Sequence, residues 1–308
     1  MKHWISQPIL WCLALTAAAS SAATNEQVIN VPGHADFLAV DGAAVWVTNT
    51  GRVERWSQKG KLAEVAVGKP CGTMAISHGS LWVADCKGAA LNRIDLKTTK
   101  TIAVIPTGIA NPKGELNVVA GAGSVWVASD GRGVVSRIDP SNNRVIASIE
   151  VAPGTFNLSF GFGSLWAVSP AGRSLQQIDP ATNSVVKTTA LGQNPTFLVA
   201  GEGAVWVQEH GDGTVARVDP ETGEVTGRVK VGPDLRGGDI DAGGGKVWLR
   251  TRSDQVMVVI DPNTLEIRAR LGEAAGSGAL RYTPAGIWTT AHDQQTLSWW
   301  RNPESLGR

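Results

Sequence analysis

Gly-Ala-Gly-Ser-Val-Trp-Val-Ala-Ser (121–129), followed by Val-Ser-Arg-Ile-Asp-Pro (135–140) and Arg-Val-Ile-Ala-Ser-Ile (144–149), is the stretch that decides the fold. It reads as a Gly-containing turn, a short apolar strand carrying Trp126, a strand ending in Ile-Asp-Pro, and a β-branched strand. The unit recurs at Gly-Phe-Gly-Ser-Leu-Trp-Ala (161–167) and Gly-Glu-Gly-Ala-Val-Trp-Val (201–207). Aligned on Trp46, Trp82, Trp126, Trp166, Trp206, Trp248 and Trp288, the spacings are 36, 44, 40, 40, 42 and 40 residues. Asp95, Asp139, Asp179, Asp219 and Asp261 each fall 13 residues after their Trp, and four of the five precede Pro. A period near 40 with strand patterning indicates a propeller or solenoid array.

An apolar strand, exemplified by Leu-Asn-Val-Val-Ala (116–120), precedes the Trp strand and completes four strands per unit. Asp-Pro-Glu-Thr-Gly (219–223) is a turn between strands three and four, with Pro presetting φ and Gly223 free to take positive φ. No window sustains a period of 3.6, so almost no helix is expected. Four strands per repeat imply blades. The expected fold is all-β: a seven-bladed β-propeller of four-stranded antiparallel blades. The last repeat lacks a fourth strand, and Gln27–Val31 is expected to fill that place and close the ring, covering edges otherwise open at the junction. Each repeated Trp is expected to pack between blades, where area burial stabilises the ring.

With 308 residues, a formal net charge of +1 and 18% charged residues, the composition gives no general attraction to nucleic acid or acidic membrane. Residues 1–23 read as a signal peptide: Lys2 and His3, an apolar stretch from Ile9 to Ala19, and small residues before a cut near Ala23. The expected mature chain, 24–308, is a single propeller domain, periplasmic or secreted, with no membrane insertion. Ring closure removes any need to dimerise, so a monomer is expected. Cys71 and Cys86 then remain, and an even count in an exported chain favours a disulfide. With His78-Gly79 as a two-residue turn, Ala75 pairs with Trp82, and Cys71 falls opposite Cys86.

Entries to first strands and exits from second strands gather on one face of a propeller. The entries are His34, Asp36, Lys113, Glu115, Asn157, Asn194, Arg236 and Asp239. The exits are Asn49, Asp85, Asp130, Glu209, His210, Arg250, Arg252, His292 and Asp293. This face is richer in ionisable groups than the Gly-turn face and is the expected binding face. Blades one and seven are neighbours, which brings His34 towards His292. With Asp36 or Glu209 these histidines suit a metal or acid–base site; scattered as they are, with no diagnostic spacing, they suit solvated loops better. No haem attachment motif, nucleophile elbow, Walker loop or calcium loop is present in the sequence.

Gly-Ser-Val-Trp-Val-Ala-Ser (123–129) with Val-Ser-Arg-Ile-Asp-Pro (135–140) resembles the YVTN-type propellers, and is similar to the seven-bladed streptogramin B (virginiamycin B) lyase group, over essentially the whole mature chain. That resemblance implies a metal-assisted elimination at an ester of a cyclic depsipeptide, with magnesium or another divalent cation. It also implies a His entering strand one and a Glu three residues after the Trp of the same blade. Glu209 fills the Glu position after Trp206, but the matching His position is Thr196, and no blade carries both. His210, beside Glu209, is the substitute base if its loop turns inward. Two main readings follow. One is an exported module binding a small ligand or a periplasmic or extracellular protein, with no certain cofactor. The other is a secreted lyase or lactone hydrolase using Glu209 and His210. A scaffold for a redox partner is a third, with no cofactor site in the sequence.

Overall fold

The computed structural model describes residues 25–128, 131–251 and 257–307. The expected signal peptide, and the face positions Asp130 and Arg252, lie outside the described residues. The repeats form seven four-stranded sheets, and within each sheet every neighbouring pair is antiparallel. First strands, such as Leu38–Asp41, Val118–Gly121 and Asp239–Gly243, line the channel, and each touches the first strand of the next blade around a closed ring. Second strands lie between neighbouring blades on both faces, which explains their unbroken apolar runs: Ala44–Asn49 and Ser164–Ser169 are buried at every position. Fourth strands are edges, and Arg144–Glu150 largely alternates towards solvent.

All seven repeated tryptophans are at most 1% exposed. At this burial each contributes roughly 4–6 kcal/mol by area. A buried indole N–H needs an acceptor. Trp126, Trp166 and Trp206 each find it 3.0 Å away, in the carbonyls of Gly121, Gly161 and Gly201 at the ends of their own first strands. The glycines there serve a second purpose. A Cβ at Gly121 would lie 2.1 Å from the Phe160 ring of the next blade, and one at Gly161 would lie 2.7 Å from the Ala200 Cβ. The Gly-x-Gly signature therefore combines a tight turn with close approach of the next blade.

The Arg of Arg-Ile-Asp-Pro joins blades. The Arg137 guanidinium lies 4.7 Å from the Trp126 ring centroid. Its Nη1 reaches forward to the Pro180 carbonyl at 2.5 Å and Asn183 Oδ1 at 2.7 Å. Arg93 repeats this arrangement on Trp82, bonding Pro140 and Asn143. The motif Asp caps its own turn: Asp139 accepts from the Ser141 amide at 2.8 Å and Asp219 from the Glu221 amide at 2.9 Å.

Ring closure follows the expected scheme, with the strand spanning Glu26–Asn30. It pairs antiparallel with Thr296–Arg301, from Glu26 opposite Trp300 to Asn30 opposite Thr296. The Val31 amide then donates to the Gln295 carbonyl at 2.7 Å. Helix is confined, among the described residues, to two short 3-10 turns, His292–Gln294 and Pro303–Ser305. Cys71 and Cys86 form a disulfide with Cα atoms 6.1 Å apart, but not directly across the hairpin as expected from the turn count: beyond the Ala75–Trp82 pair the register slips, Pro70 faces Asp85, and the two cysteines bond diagonally.

Candidate functional site at the channel mouth

The loop entering blade one places His34 and Asp36 at the channel mouth. Backbone bonds fix both: the His34 amide donates to Asn49 Oδ1 at 2.7 Å, and the Asp36 amide to the Thr48 carbonyl at 3.1 Å. Blade seven delivers His292 at the exit of its second strand, with its amide on the Ser277 carbonyl at 3.1 Å. Thr290 ties the two blades together. Its hydroxyl donates to the Asp36 carbonyl at 2.6 Å and accepts from the Ala279 amide at 2.8 Å.

The His34 and His292 rings come within 4.2 Å between centroids, tilted by 31°. His34 Nε2 lies 3.7 Å from Asp36 Oδ2. His292 Nδ1 lies 3.0 Å from Asp293 Oδ1. One ligand atom from each of His34, Asp36 and His292 falls within 4.8 Å of the others, the one such group of three among the described residues.

Electrostatics at this mouth oppose ionisation of the acids. Burial, helped by the nearby Asp239 and Asp293 carboxylates and countered by Arg250, pushes Asp36 up to about 7. Burial, with Asp36 and Asp239 in support, pushes Glu115 up to about 8. Burial and the neighbouring His34 hold His292 below the ordinary histidine value, against the pull of Asp293. Arg250 is fully buried, and burial lowers it to about 10 despite Asp293 and Asp36. Its Nε donates to the Thr290 carbonyl at 3.3 Å, while Nη2 has no hydrogen-bond partner.

A cavity of about 440 Å³ opens beside the cluster, between the entries to blades one, two and three. His34, Asp36 and Glu115 meet Lys69, Lys87 and Lys113 in its wall.

Several other residues of this face have structural partners. Asn49 accepts from His34 and Thr50 amides, and Asp85 from those of Lys69, Lys87 and Gly88. Ser169 accepts from the Gly172 amide and donates to the Pro153 carbonyl. Glu209 takes the Gly192 amide at 2.7 Å, the Thr214 hydroxyl at 2.6 Å and Arg228 Nε at 2.9 Å, with no exposure of its own. The position three residues after each of these tryptophans thus ties down the segment that enters the same blade. Burial alone would raise the Glu209 carboxyl, but the bonds from Arg228, Thr214 and Gly192 outweigh it and hold the group below its usual range. His210 bonds Gln208 Oε1 at 2.8 Å through Nε2, and burial pushes it down to about 4. Asp239, pushed up by burial against Arg281, bonds Arg281 and the Ile240 and Leu280 amides, joining blades six and seven. Asn157 is buried at the entry to blade four, and its Oδ1 has no hydrogen-bond partner.

Among solved structures, virginiamycin B lyase from Staphylococcus aureus superposes with a TM-score of 0.78 at 17% identity, covering 90% of this chain and 99% of that one. A streptogramin B lyase gives 0.76 at 15%, covering 89% and 96%. Hydrazine synthase of Kuenenia stuttgartiensis gives 0.75 at 14%, covering 93% and 99%. The likeness is one of fold. No protein-family model matches the chain, and no curated protein sequence does.

Of the two positions carried over from the lyase resemblance, the first holds its Glu and the second holds Thr in place of His. Glu209 is held by Arg228, and the Thr196 hydroxyl is buried without a partner. Sequence reasoning missed the tie formed by Thr290 and Asp36, and also Lys69 and Lys87 as cavity walls. Both lysines flank Asp85 in space, and the spacing of Asp85 from Trp82 was the available signal.

Proposed function

We propose that this chain is an exported propeller that binds a small, charged ligand at the channel mouth, in the cavity flanked by His34, Asp36 and Glu115 on one side and Lys69, Lys87 and Lys113 on the other. The observation that carries this reading is the convergence of ionisable side chains from three blade entries on one cavity of about 440 Å³, within the range of small-molecule sites. The buried acids there are held near neutrality, so a ligand bearing both hydrogen-bond acceptors for the lysines and donors for the carboxyls is favoured. Export is supported by the Cys71–Cys86 disulfide and by the N-terminal sequence. No helix among the described residues is long and apolar enough to cross a membrane.

A thermal-shift panel of sugar acids, hydroxy acids, lactones and cyclic depsipeptides on residues 24–308 tests the reading. A ligand at about 100 times its Kd adds about 2.7 kcal/mol. A shift that is abolished in Lys69→Ala with Lys87→Ala supports it; a shift indifferent to both lysines and to Glu115→Gln sinks it.

The fold likeness to the two lyases favours a second reading, lyase or lactone-hydrolase activity. Such chemistry needs a base and an electrophile. Since Glu209 is sealed by Arg228, Asp36 with His34 or His292 is the pair placed to supply them, with Glu209 and His210 outside the cavity wall. Turnover of an ester or lactone that survives Glu209→Gln but not Asp36→Asn would favour this reading.

A further inference from the structure

We propose that His34, Asp36 and His292 form a binding site for one divalent first-row transition cation of the zinc type, set across the seam between blades one and seven. The proposal rests on the reading of the channel mouth as the ligand site and specifies what that site holds.

Four observations converge. The three donors come from two blades and lie within 4.8 Å of one another. A tetrahedral cation with bonds of about 2.0–2.2 Å draws such atoms together by a modest side-chain movement. His34 is the exposed member, with its Nε2 already 3.7 Å from Asp36 Oδ2. Second, the donor set is two imidazoles and one carboxylate, which suits zinc and its first-row neighbours; magnesium and calcium demand a larger set of oxygens.

Third, His292 has a carboxylate behind it. Asp293 Oδ1 sits 3.0 Å from Nδ1, and a proton shared between them would leave Nε2 free to ligate. An acid on the far nitrogen is a recurring companion of metal-binding histidine. Asp293 is itself placed by the Ser277 amide at 3.2 Å, and a Cβ at Gly276 would lie 2.1 Å from Asp293 Oδ2, so the glycine makes room for it. Fourth, the two blades are already joined at this point by Thr290 and Asp36, so the ligands are largely preorganised.

With three protein ligands a tetrahedral cation keeps one open position. His34 and Asp36 also line the cavity, so a cation they hold would take its remaining oxygen donor from a ligand bound there: a carboxylate, hydroxamate or lactone carbonyl.

The test uses untagged, chelator-treated protein comprising residues 24–308. Zinc chloride is titrated calorimetrically, and cobalt(II) is followed by its visible absorption, which reports coordination number. We expect one site per chain and a tetrahedral or five-coordinate cobalt spectrum. Millimolar magnesium should not displace either ion. His34→Ala and His292→Ala should each weaken binding by more than about 100-fold, and Asp293→Asn by about 10- to 100-fold. His34 is exposed, so its variant folds whatever its role, and melting curves check the others. Absence of saturable binding overturns the proposal, as does zinc affinity unchanged in both histidine variants. The two readings fail separately. Organic ligands that shift the metal-free protein while zinc does not bind overturn the metal site alone. Zinc binding with no organic ligand found leaves the metal site standing and removes the small-ligand function.

Discussion

Glu209 stands three residues after Trp206, as Asn49 follows Trp46 and Asp85 follows Trp82, and all three carry an oxygen that anchors the incoming loop. Only Glu209 does so with a charge partnered by an arginine. Replacing it by Gln removes that pair while leaving buried donors short of an acceptor, at a cost of about 1–3 kcal/mol. The sign with pH follows from its depressed carboxyl. Its stabilisation is present above the unfolded glutamate range and lost as pH falls through the folded value. Melting curves should therefore separate wild type from Glu209→Gln above about pH 5 and converge in stronger acid. The sequence placed Glu209 at a strand exit but did not disclose its direction, because a strand's alternation ends where the strand does. His34 and His292 were legible as neighbours for the opposite reason: counting blades brings first and last repeats together whatever their side chains do.

At the scale of the strand and its turn, the repeat displayed most of its logic. Trp marks the second strand, Gly-x-Gly the approach of the next blade, and Asp-Pro the third turn. What one repeat could not display is a bond made to its neighbour. Arg137 looks like a solvated residue within its own blade, yet it stacks on Trp126 and closes on Pro180 and Asn183 of the next. Arg137→Ala should cost about 1–2 kcal/mol, and Arg137→Lys should recover little of it, since an ammonium lacks the planar fork that stacks and bonds together. Equilibrium urea unfolding of the two variants checks this. The disulfide is the other local device. It closes a loop whose cysteines are 15 residues apart, worth about 3 kcal/mol through the unfolded chain. The double change Cys71→Ala and Cys86→Ala should lower the melting temperature by several degrees, and reductant should do the same to wild type while leaving that variant unmoved.

Over the whole ring, the acids at the channel mouth link stability to pH in the opposite sense to Glu209. Glu115, facing Asp36 and Asp239, is raised to about 8, so the folded chain binds a proton that the unfolded chain releases. Stability then falls as pH rises from about 4.5 towards 8. In metal-free protein the melting temperature should drop across that interval, and Glu115→Gln should shrink the drop. The closed ring also fixes an order of events. The strand Glu26–Asn30 has no partner until Thr296–Arg301 arrives, because every other strand of the seventh sheet comes from the far end of the chain. Blades one to six can assemble from neighbours in sequence, whereas the seventh requires the longest loop closure the chain can make, the kind of contact that slows folding most. If the chain crosses a membrane N-terminus first, its earliest strand to emerge is its last to find a place, and throughout that wait it offers an open edge to any other chain in the same state. Exchange of this strand between two molecules is thus the characteristic misassembly to look for when refolding is crowded.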